Sequence, residues 1–293
     1  MVRLGMRVLI LGGTGTLGRA TIRRLLLDPN VEAITCLSRD ELKQHELKLE
    51  INDPRLHFVL GDIRDRSSLE PHFEHIDLCF HFAALKRIPE MESQPHECIK
   101  TNVLGLINAA DLAKRANVQN FVFSSTDKAC LPVNTYGASK FLGEQILFSM
   151  NRTGRTAFSV YRWGNVAGSR GSVIHQFKKS LEEEKKIYIT DQYMSRFWIK
   201  IEDAVDFMLR TYPERCNFPK IPKMKAAPVM RVASLVAKHI GVEDYVIENI
   251  GIRPGEKIHE DIDLTYNDAR TLNSQNADQY TNEELLALIK QVL

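Results

Sequence analysis

Short, almost continuously apolar segments alternate with amphipathic ones through the first half of the chain, and this alternation constrains the fold most. Strands that are apolar on both faces are typical of a parallel sheet covered by helices. The predicted strands are Arg7–Gly12, Ala33–Ser38, His57–Gly61, Leu78–Ala83, Asn120–Ser125 and Ala157–Arg162. The clearest helices between them are Leu17–Leu27, Pro95–Arg115 and Tyr136–Met150. The pattern predicts an α/β fold with a doubly wound parallel sheet and right-handed crossovers.

The pattern loosens after Asn165. Four prolines between Pro213 and Pro228 indicate irregular chain, and two amphipathic helices are predicted at Met230–Ile240 and Asn282–Val292. We therefore expect a Rossmann domain at 1–165, to which the chain returns near 195–215. A smaller domain at 166–293 would cover the carboxyl edge of the sheet.

Composition excludes several classes of protein. The 293 residues carry a net charge of +2, with 44% hydrophobic and 26% charged residues, as in ordinary soluble globular proteins, so nothing favours nucleic acid. Five cysteines and nine histidines show no metal-ligand spacing, and reduced thiols are expected. No apolar run is long enough for a membrane span. The N-terminus runs directly into a strand, so we expect no signal peptide and a cytoplasmic location.

A glycine-rich loop follows the first predicted strand and opens the first helix. Gly12, Gly15 and Gly18 have the spacing GxxGxxG, a variant of the dinucleotide fingerprint. Thr14, Thr16 and Leu17 stand between them and are predicted to contact the cofactor too. The free N–H groups of the helix N-terminus would then face the phosphates. A lone glycine loop is weak evidence, but the strand–turn–helix context strengthens it.

The second predicted strand ends in Ser38-Arg39-Asp40, where dinucleotide folds meet the adenosine ribose. A hydroxyl and a guanidinium suit a 2′-phosphate, so Ser38 and Arg39 favour NADP over NAD. Asp40 could still bind the ribose 2′-OH and reverse that preference. Asp62 and Ile63 are predicted beside the adenine; alternatively, Asp62 caps a turn.

Thr126-Asp127-Lys128 ends the fifth strand and is followed by Tyr136 and Lys140. A tyrosine and a lysine at i and i+4 share one helix face, and the ammonium would lower the pKa of the phenol, which could then remove a proton from an alcohol. Asp127 and Lys128 add a second acid and a second base. Two acid/base pairs over one substrate imply more than a simple oxidation. The alternative reading of Asp127-Lys128 is a surface turn.

These motifs resemble the extended short-chain dehydrogenase/reductases. More narrowly, they resemble the inverting UDP-N-acetylglucosamine 4,6-dehydratases of bacterial surface-sugar biosynthesis. The segments that carry the resemblance are Gly12–Gly18, Ser38–Gln44, Gly61–Asp65, His81–Lys86, Thr101–Gly105, Ser125–Lys140, Arg162–Val173, Ile189–Asp191, Met194–Ile199 and Arg253–Glu260. The Thr-Asp-Lys triplet is the specific part. Phe82 departs from the more usual alanine and would put a ring near the nicotinamide.

The resemblance implies a hydro-lyase. Tyr136, activated by Lys140 and aided by Thr126, would remove the C4 hydroxyl proton as hydride leaves C4. Lys128 would take the C5 proton, for which it must be neutral, and a cation such as Lys86 would lower its pKa. Asp127 would protonate the departing C6 hydroxyl. Hydride returns to C6, and inversion at C5 gives a UDP-4-keto-6-deoxy-L-sugar for surface glycan or nonulosonic (pseudaminic-type) acid synthesis.

The resemblance also implies further contacts. The predicted cofactor-binding residues beyond the loop and the adenosine end are Ala83, Ala84, Lys86, Tyr136, Lys140 and Asn165. The predicted substrate-binding residues are Lys86, Asn165, Arg170, Arg196, Arg253 and Glu256, with the arginines as candidates for the diphosphate and Glu256 for the uridine ribose. A homo-oligomer, either a dimer or a hexamer, is implied through the helices Pro95–Arg115 and Tyr136–Met150.

Three other functions stay open. The enzyme could catalyse a partial reaction that makes or processes the UDP-sugar 5,6-ene. It could be a UDP-sugar 4-epimerase, although rotating a ketone needs no base at C5. Outside the enzymes, it could be an NADP-sensing regulatory protein, although such a protein needs no tyrosine and lysine at i and i+4.

Overall fold

Six parallel strands form the central sheet of the computed structural model, which describes residues 5–169, 171–264 and 271–293. The strands are β1 Met6–Leu11, β2 Val31–Ser38, β3 Leu56–Leu60, β4 Leu78–His81, β5 Asn120–Ser124 and β6 Ala157–Tyr161. Their order across the sheet is β3-β2-β1-β4-β5-β6. This is the doubly wound dinucleotide-binding order, in which ligands lie beyond the carboxyl ends of the strands where the order reverses, here between β1 and β4. The predicted fold class is confirmed, and each strand was predicted within two residues.

Helices cover both faces of the sheet. In the described residues, the α-helices are α1 Thr16–Leu25, α2 Glu41–Glu50, α3 Arg66–Leu69, α4 Ile88–Ser93, α5 Pro95–Cys98, α6 Gly105–Arg115, α7 Thr135–Met150, α8 Val173–Glu184, α9 Ile201–Thr211, α10 Val229–His239 and α11 Asn282–Val292. Short 3₁₀ turns occupy Glu70–Phe73 and Asp127–Ala129. The helix predicted at Pro95–Arg115 is divided, because a π-helical segment, Ile99–Leu104, joins α5 to α6.

The two sides of β1 supply two different cores, as expected of a strand buried on both faces. Val8 and Ile10 belong to one apolar cluster and Leu9 and Leu11 to the other; all four side chains are fully buried. The sheet is therefore held from both sides directly below the glycine loop.

In the second half of the chain, the described residues form three small sheets. The strands are β7 Asn165–Val166, β8 Lys186–Ile189, β9 Ser195–Ile199, β10 Lys225–Pro228, β11 Val246–Asn249, β12 Asp261–Leu264 and β13 Thr271–Asn273. The sheets have the orders β10-β9-β7, β11-β8 and β12-β13. A third apolar cluster, which includes Phe177, Trp198 and Val232, joins α8, β9 and α10. We call residues 166–169, 171–264 and 271–293 the smaller lobe.

Helix α9 lies against the first helix of the sheet. Arg24 Nε of α1 donates to Asp206 Oδ1 of α9 at 2.7 Å, and Met208 belongs to the same apolar cluster as Val8. The structure thus brings α9 back to the sheet, although the predicted domain boundaries stay a prediction. None of the helices in the described ranges is long and apolar enough to cross a membrane.

Candidate active site

The glycine loop runs close beneath the segment that follows β4. Gly12 has φ +85°, and a Cβ added there would lie 2.6 Å from the backbone nitrogen of Ala83. A Cβ at Gly18 would lie 2.5 Å from Cα of Gly13, so helix α1 can approach the loop only with glycine at this position. The N-terminus of α1, which begins after Gly15, opens onto the carboxyl edge of the sheet. This cradle, too narrow for side chains, fits the pyrophosphate of a nicotinamide dinucleotide.

Two cavities share walls along this edge and form one groove. One, of about 590 Å³, lies at the end of β2, and the other, of about 360 Å³, lies over the Thr126–Lys140 segment. The predicted cofactor residues that line the groove are Gly12, Thr14, Gly15, Thr16, Leu17, Gly18, Ser38, Arg39, Ile63, Ala83, Ala84, Lys86, Tyr136, Lys140 and Asn165. Phe82 lines both cavities, while Lys43 and Thr101 line the larger one and were not predicted.

The end of the groove at β2 is rich in charge. Arg39, Asp40 and Lys43 all line it. Asp40 caps α2 by accepting from Lys43 N at 3.0 Å, and its carboxylate also forms an ion pair with Lys43 Nζ. Ser38 Oγ accepts from Gln44 Nε2 at 3.0 Å, so its position is fixed. Two cations and one engaged carboxylate therefore surround the predicted 2′ position.

Asp62 is not among the residues that line the groove, and its predicted contact beside the adenine stays a prediction. Its Oδ1 accepts from Arg64 N at 3.0 Å, and its Oδ2 accepts from Arg64 Nη2 at 2.6 Å. Arg39 Nη1 lies 3.7 Å from the same carboxylate. These contacts are those of the turn-capping alternative, and Ile63 alone of the predicted adenine pair faces the groove.

The Thr126-Asp127-Lys128 segment folds back on itself in a 3₁₀ turn. Asp127 N donates to Trp163 O at 2.7 Å, which fixes the turn to the chain beyond β6. Asp127 Oδ1 accepts from Thr126 Oγ1 at 2.9 Å, from Lys128 N at 2.9 Å and from Lys128 Nζ at 3.1 Å. Thr126 and Lys128 line the groove, whereas the Asp127 side chain is 1% exposed and lies behind them. The surface-turn reading of Asp127-Lys128 is therefore wrong.

The smaller lobe supplies a second carboxylate to the lysine. Glu260 Oε1 lies 3.1 Å from Lys128 Nζ, and the Glu260 side chain is 3% exposed. Arg196 Nε lies 3.6 Å from the same oxygen. Sequence reasoning missed this role, although Glu260 ends one of the segments that carry the family resemblance.

Charge states in this cluster differ from the expectation. Burial opposes the ammonium of Lys128, but Asp127 and Glu260 outweigh burial and raise its pKa. The prediction that Lys128 is made neutral is therefore wrong for this arrangement, and the cation that opposes its charge is Arg196 rather than Lys86. Burial raises the pKa of Asp127, and the charge of Glu260 adds to this effect. Burial also opposes the charge of Glu260, but Lys128 and Arg196 outweigh it and lower that pKa.

Tyr136 and Lys140 lie in the first two turns of α7. Asn134 caps the helix by accepting from Gly137 N at 2.7 Å, and both predicted side chains line the groove. Burial raises the pKa of Tyr136 to about 12, opposed by Lys128 and by a hydrogen bond with Thr126. Lys128 is a cation that lowers this pKa in the structure, and the predicted effect of Lys140 on the phenol stays a prediction.

Lys140 also lines the groove, and it is buried. Burial lowers its pKa to about 7, opposed by the carboxylate of Glu144. Its Nζ lies 4.0 Å from the ring centroid of Phe123. Glu144 is held by the buried guanidinium of Arg162, with Nη2 to Oε2 at 2.6 Å, and by Ser125 Oγ at 2.5 Å.

The structure places the predicted substrate residues in different surroundings. Lys86 and Asn165 line the groove. Arg253 and Glu256 do not; they form an exposed turn in which Arg253 N donates to Glu256 Oε2 at 3.1 Å, and their substrate contacts stay a prediction. Arg170 lies outside the described residues.

Arg196 has a different role from the predicted diphosphate clamp. Its Nη1 donates to Ser195 O at 2.7 Å and to Ile258 O at 2.9 Å, and its Nη2 donates to Lys257 O at 2.9 Å. With Nε directed at Glu260, this guanidinium is occupied by protein acceptors, and it anchors the 257–260 segment. Among the described residues, no group of His, Cys, Asp or Glu is arranged to hold a metal ion.

The amino-acid sequence matches a known protein family. The family described as polysaccharide biosynthesis protein matches residues 8–283. The chain belongs to this family. An inverting UDP-N-acetylglucosamine 4,6-dehydratase from Campylobacter jejuni is 40% identical over 88% of this chain and 79% of its own length. This similarity confirms the resemblance drawn from the motifs.

The chain is also similar to an epimerase and to a protein of known crystal structure. A UDP-glucose 4-epimerase from Rickettsia bellii is 35% identical over 87% of this chain and 76% of its own length. The crystal structure of the protein Pen from Bacillus thuringiensis is 31% identical, with a TM-score of 0.92 and coverage of 100% of both chains. The chain's similarity thus extends to a dehydratase and to an epimerase.

Proposed function

We propose that this protein is an NADP-dependent hydro-lyase that dehydrates UDP-N-acetylglucosamine across C5 and C6 with inversion at C5. One observation carries the proposal: Tyr136 and Lys128, two groups able to move protons, line the same cavity beside the glycine loop. The 40% identity to the Campylobacter jejuni protein named as an inverting UDP-N-acetylglucosamine 4,6-dehydratase supports the substrate and the stereochemistry. A simple oxidation needs the first of these groups and not the second.

The nicotinamide cofactor supplies a hydride acceptor and donor when bound in the groove. Tyr136 removes the proton of the C4 hydroxyl, and Thr126, which lines the same cavity, turns its hydroxyl proton from Asp127 Oδ1 to that oxygen and donates a hydrogen bond to it. The resulting ketone acidifies the neighbouring C–H, and Lys128 takes the C5 proton. Asp127, behind Lys128, supplies the proton that leaves with the C6 hydroxyl as water. Lys86 and Asn165 line the cavity and are proposed to orient the sugar nucleotide.

The charge at the end of β2 supports NADP. Arg39 and Lys43 are cations that line the groove beside Ser38, and a 2′-phosphate favours guanidinium and ammonium partners. Asp40 is engaged as the cap of α2 and as an ion-pair partner of Lys43. A ribose 2′-OH would compete with these contacts for the same carboxylate, which argues against NAD.

Assembly and pathway are part of the same proposal. Ile99 and Leu104 of the π-helical segment and Phe141 and Leu142 of α7 are between 37% and 49% exposed, which supports a homo-oligomer through this face. Free cysteines support a reducing, cytoplasmic compartment. The family description supports a product destined for surface glycan synthesis, and nonulosonic acid synthesis stays a prediction.

The 35% identity to a protein named as a UDP-glucose 4-epimerase favours 4-epimerisation as the second candidate. The two functions give different products. The purified protein is incubated with UDP-N-acetylglucosamine and NADP in deuterated water, and the product is analysed by mass spectrometry and NMR. The dehydratase loses one water, carries deuterium at C5 and has the inverted configuration there. An unlabelled C4 epimer would reject the first function in favour of the second, and a product that keeps the C4 hydroxyl and a 5,6-alkene would limit the reaction to its first half.

A further inference from the structure

Lys128 is held by two carboxylates from two parts of the molecule. Asp127 Oδ1 and Glu260 Oε1 each lie 3.1 Å from its Nζ, and the lysine side chain is 17% exposed. An ammonium has three N–H donors. Two of them are directed at these carboxylates, which leaves the third for the cavity that Lys128 lines.

The two carboxylates differ in what compensates their charge. Glu260 lies between Lys128 and Arg196, with Lys257 as a further cation that favours its ionised form. Asp127 has Lys128 as its cationic contact and is fully buried. Asp127 Oδ2 and Glu260 Oε2 are both buried without a hydrogen-bond partner among the described residues, which is costly for oxygens that share a negative charge. Because Arg196 and Lys257 compensate the charge of Glu260 in addition to Lys128, a neutral carboxyl group costs less at Asp127.

Glu260 itself is rigidly placed. Its backbone N donates to Ser274 Oγ at 3.0 Å, and its backbone O accepts from Ser274 N at 2.9 Å. Arg196 binds the carbonyls of Lys257 and Ile258, just before it in the chain. Glu260 does not line the groove, so it acts on the reaction through Lys128 rather than on the sugar.

We propose that Glu260 is the positioning residue for Lys128: it stays ionised, fixes Nζ toward the cavity and leaves Asp127 as the carboxylate that accepts the lysine's proton. In this step an N–H bond of Lys128 breaks and an O–H bond of Asp127 forms, while the lone pair remains on Nζ. One transfer thus produces both the neutral base for C5 and the protonated acid for the C6 hydroxyl. The total charge of the cluster does not change, so no charge has to enter or leave a buried site. This inference rests on the proposed dehydration.

Glu260→Gln tests it, because the variant keeps the size of the side chain and removes its charge. We expect kcat for dehydration to fall at least about tenfold, with KM for the UDP-sugar changed less than about twofold. C4 oxidation, followed by the absorbance of the reduced nicotinamide, is retained. Because Glu260 raises the pKa of both Asp127 and Lys128, the pH profile of kcat moves to lower pH. Glu260→Asp restores the charge and returns the profile toward that of the wild type.

Glu248→Gln is the matched control, since Glu248 forms an exposed ion pair with Lys186 in the same lobe. It should match the wild type in every readout. Wild-type kcat and pH profile in Glu260→Gln would overturn the inference. Equal losses of C4 oxidation and dehydration in Glu260→Gln, with no recovery in Glu260→Asp, would also overturn it. Failure of both variants to fold would do the same, because each of these results is that of a purely structural residue. If the wild type itself does not dehydrate the sugar, the proposed function fails first.

Discussion

Two lysines line one groove in opposite electrostatic settings. Lys128 lies between Asp127 and Glu260, and its pKa is raised; Lys140 lies above the ring of Phe123, and its pKa falls to about 7. Burial disfavours the charge of both, so the difference comes from their partners. The comparison teaches that Lys140 can change its charge near neutral pH by itself, whereas Lys128 needs a neighbour that takes its proton.

The largest expected effect is on activity, and it differs between Lys128 and Tyr136 in the reaction step that is lost. Lys128→Ala should still oxidise C4 but should lose dehydration by about 10²- to 10⁴-fold, the usual contribution of a general base. Tyr136→Phe should lose C4 oxidation and dehydration together, because the phenol acts first. Reduced nicotinamide and product are measured in the same incubations. Full dehydration by Lys128→Ala would show that this lysine is not the base that takes the C5 proton, and the contrast with Lys140 would then have no catalytic meaning.

A second effect concerns stability around Lys140. Glu144 forms a buried ion pair with Arg162, and it is the carboxylate that favours the charge of Lys140. Glu144→Ala leaves a buried guanidinium without its partner, so we expect the free energy of unfolding to fall by about 3–5 kcal/mol. Breaking the exposed Lys186–Glu248 pair with Glu248→Gln should cost at most about 1 kcal/mol. Denaturant unfolding measures both, and equal losses would contradict the difference in burial.

The smallest effect is a pH dependence of stability. The pKa of Lys140 is about 7 in the folded protein and 10.5 for an ordinary lysine, so between these values the unfolded chain binds more protons. The stability of the wild type should therefore rise with pH from about 7 to about 10, relative to Lys140→Met. At pH 6 the methionine variant should be the more stable by at least about 1 kcal/mol, because it buries no ammonium. Parallel pH curves for the two proteins would show that Lys140 keeps an ordinary pKa.

The sequence predicted the strands and the glycine loop of the sheet half well; in the smaller lobe it predicted helices α10 and α11 but not the short strands, for a physical reason. Strands such as β1 and β5 are apolar on both faces and short, so their pattern alone indicates a parallel sheet. The glycine loop and the pair Tyr136 and Lys140 are local in sequence, and local spacing places them in the groove. The break at Ile99–Leu104 depends on packing and left no sequence signal.

Contacts between distant segments were the part that could not be predicted. Glu260 reaches Lys128 across 132 residues, and no spacing rule connects them. Arg196 was expected to bind a diphosphate because guanidinium suits phosphate, but the fold gives it backbone carbonyls instead. The direction of the Lys128 pKa shift could not be predicted for the same reason, because it depends in part on Glu260, a carboxylate of the smaller lobe.

The central claim is that the two lysines carry opposite pKa shifts, and NMR titration of lysine Nζ tests it most directly. The protein is labelled with ¹⁵N-lysine, and the two signals are assigned by their loss in Lys128→Ala and Lys140→Met. We predict that Lys140 titrates near pH 7 and that Lys128 is still an ammonium at pH 10. Titration of both at the ordinary lysine value, or of Lys128 below Lys140, would contradict the account.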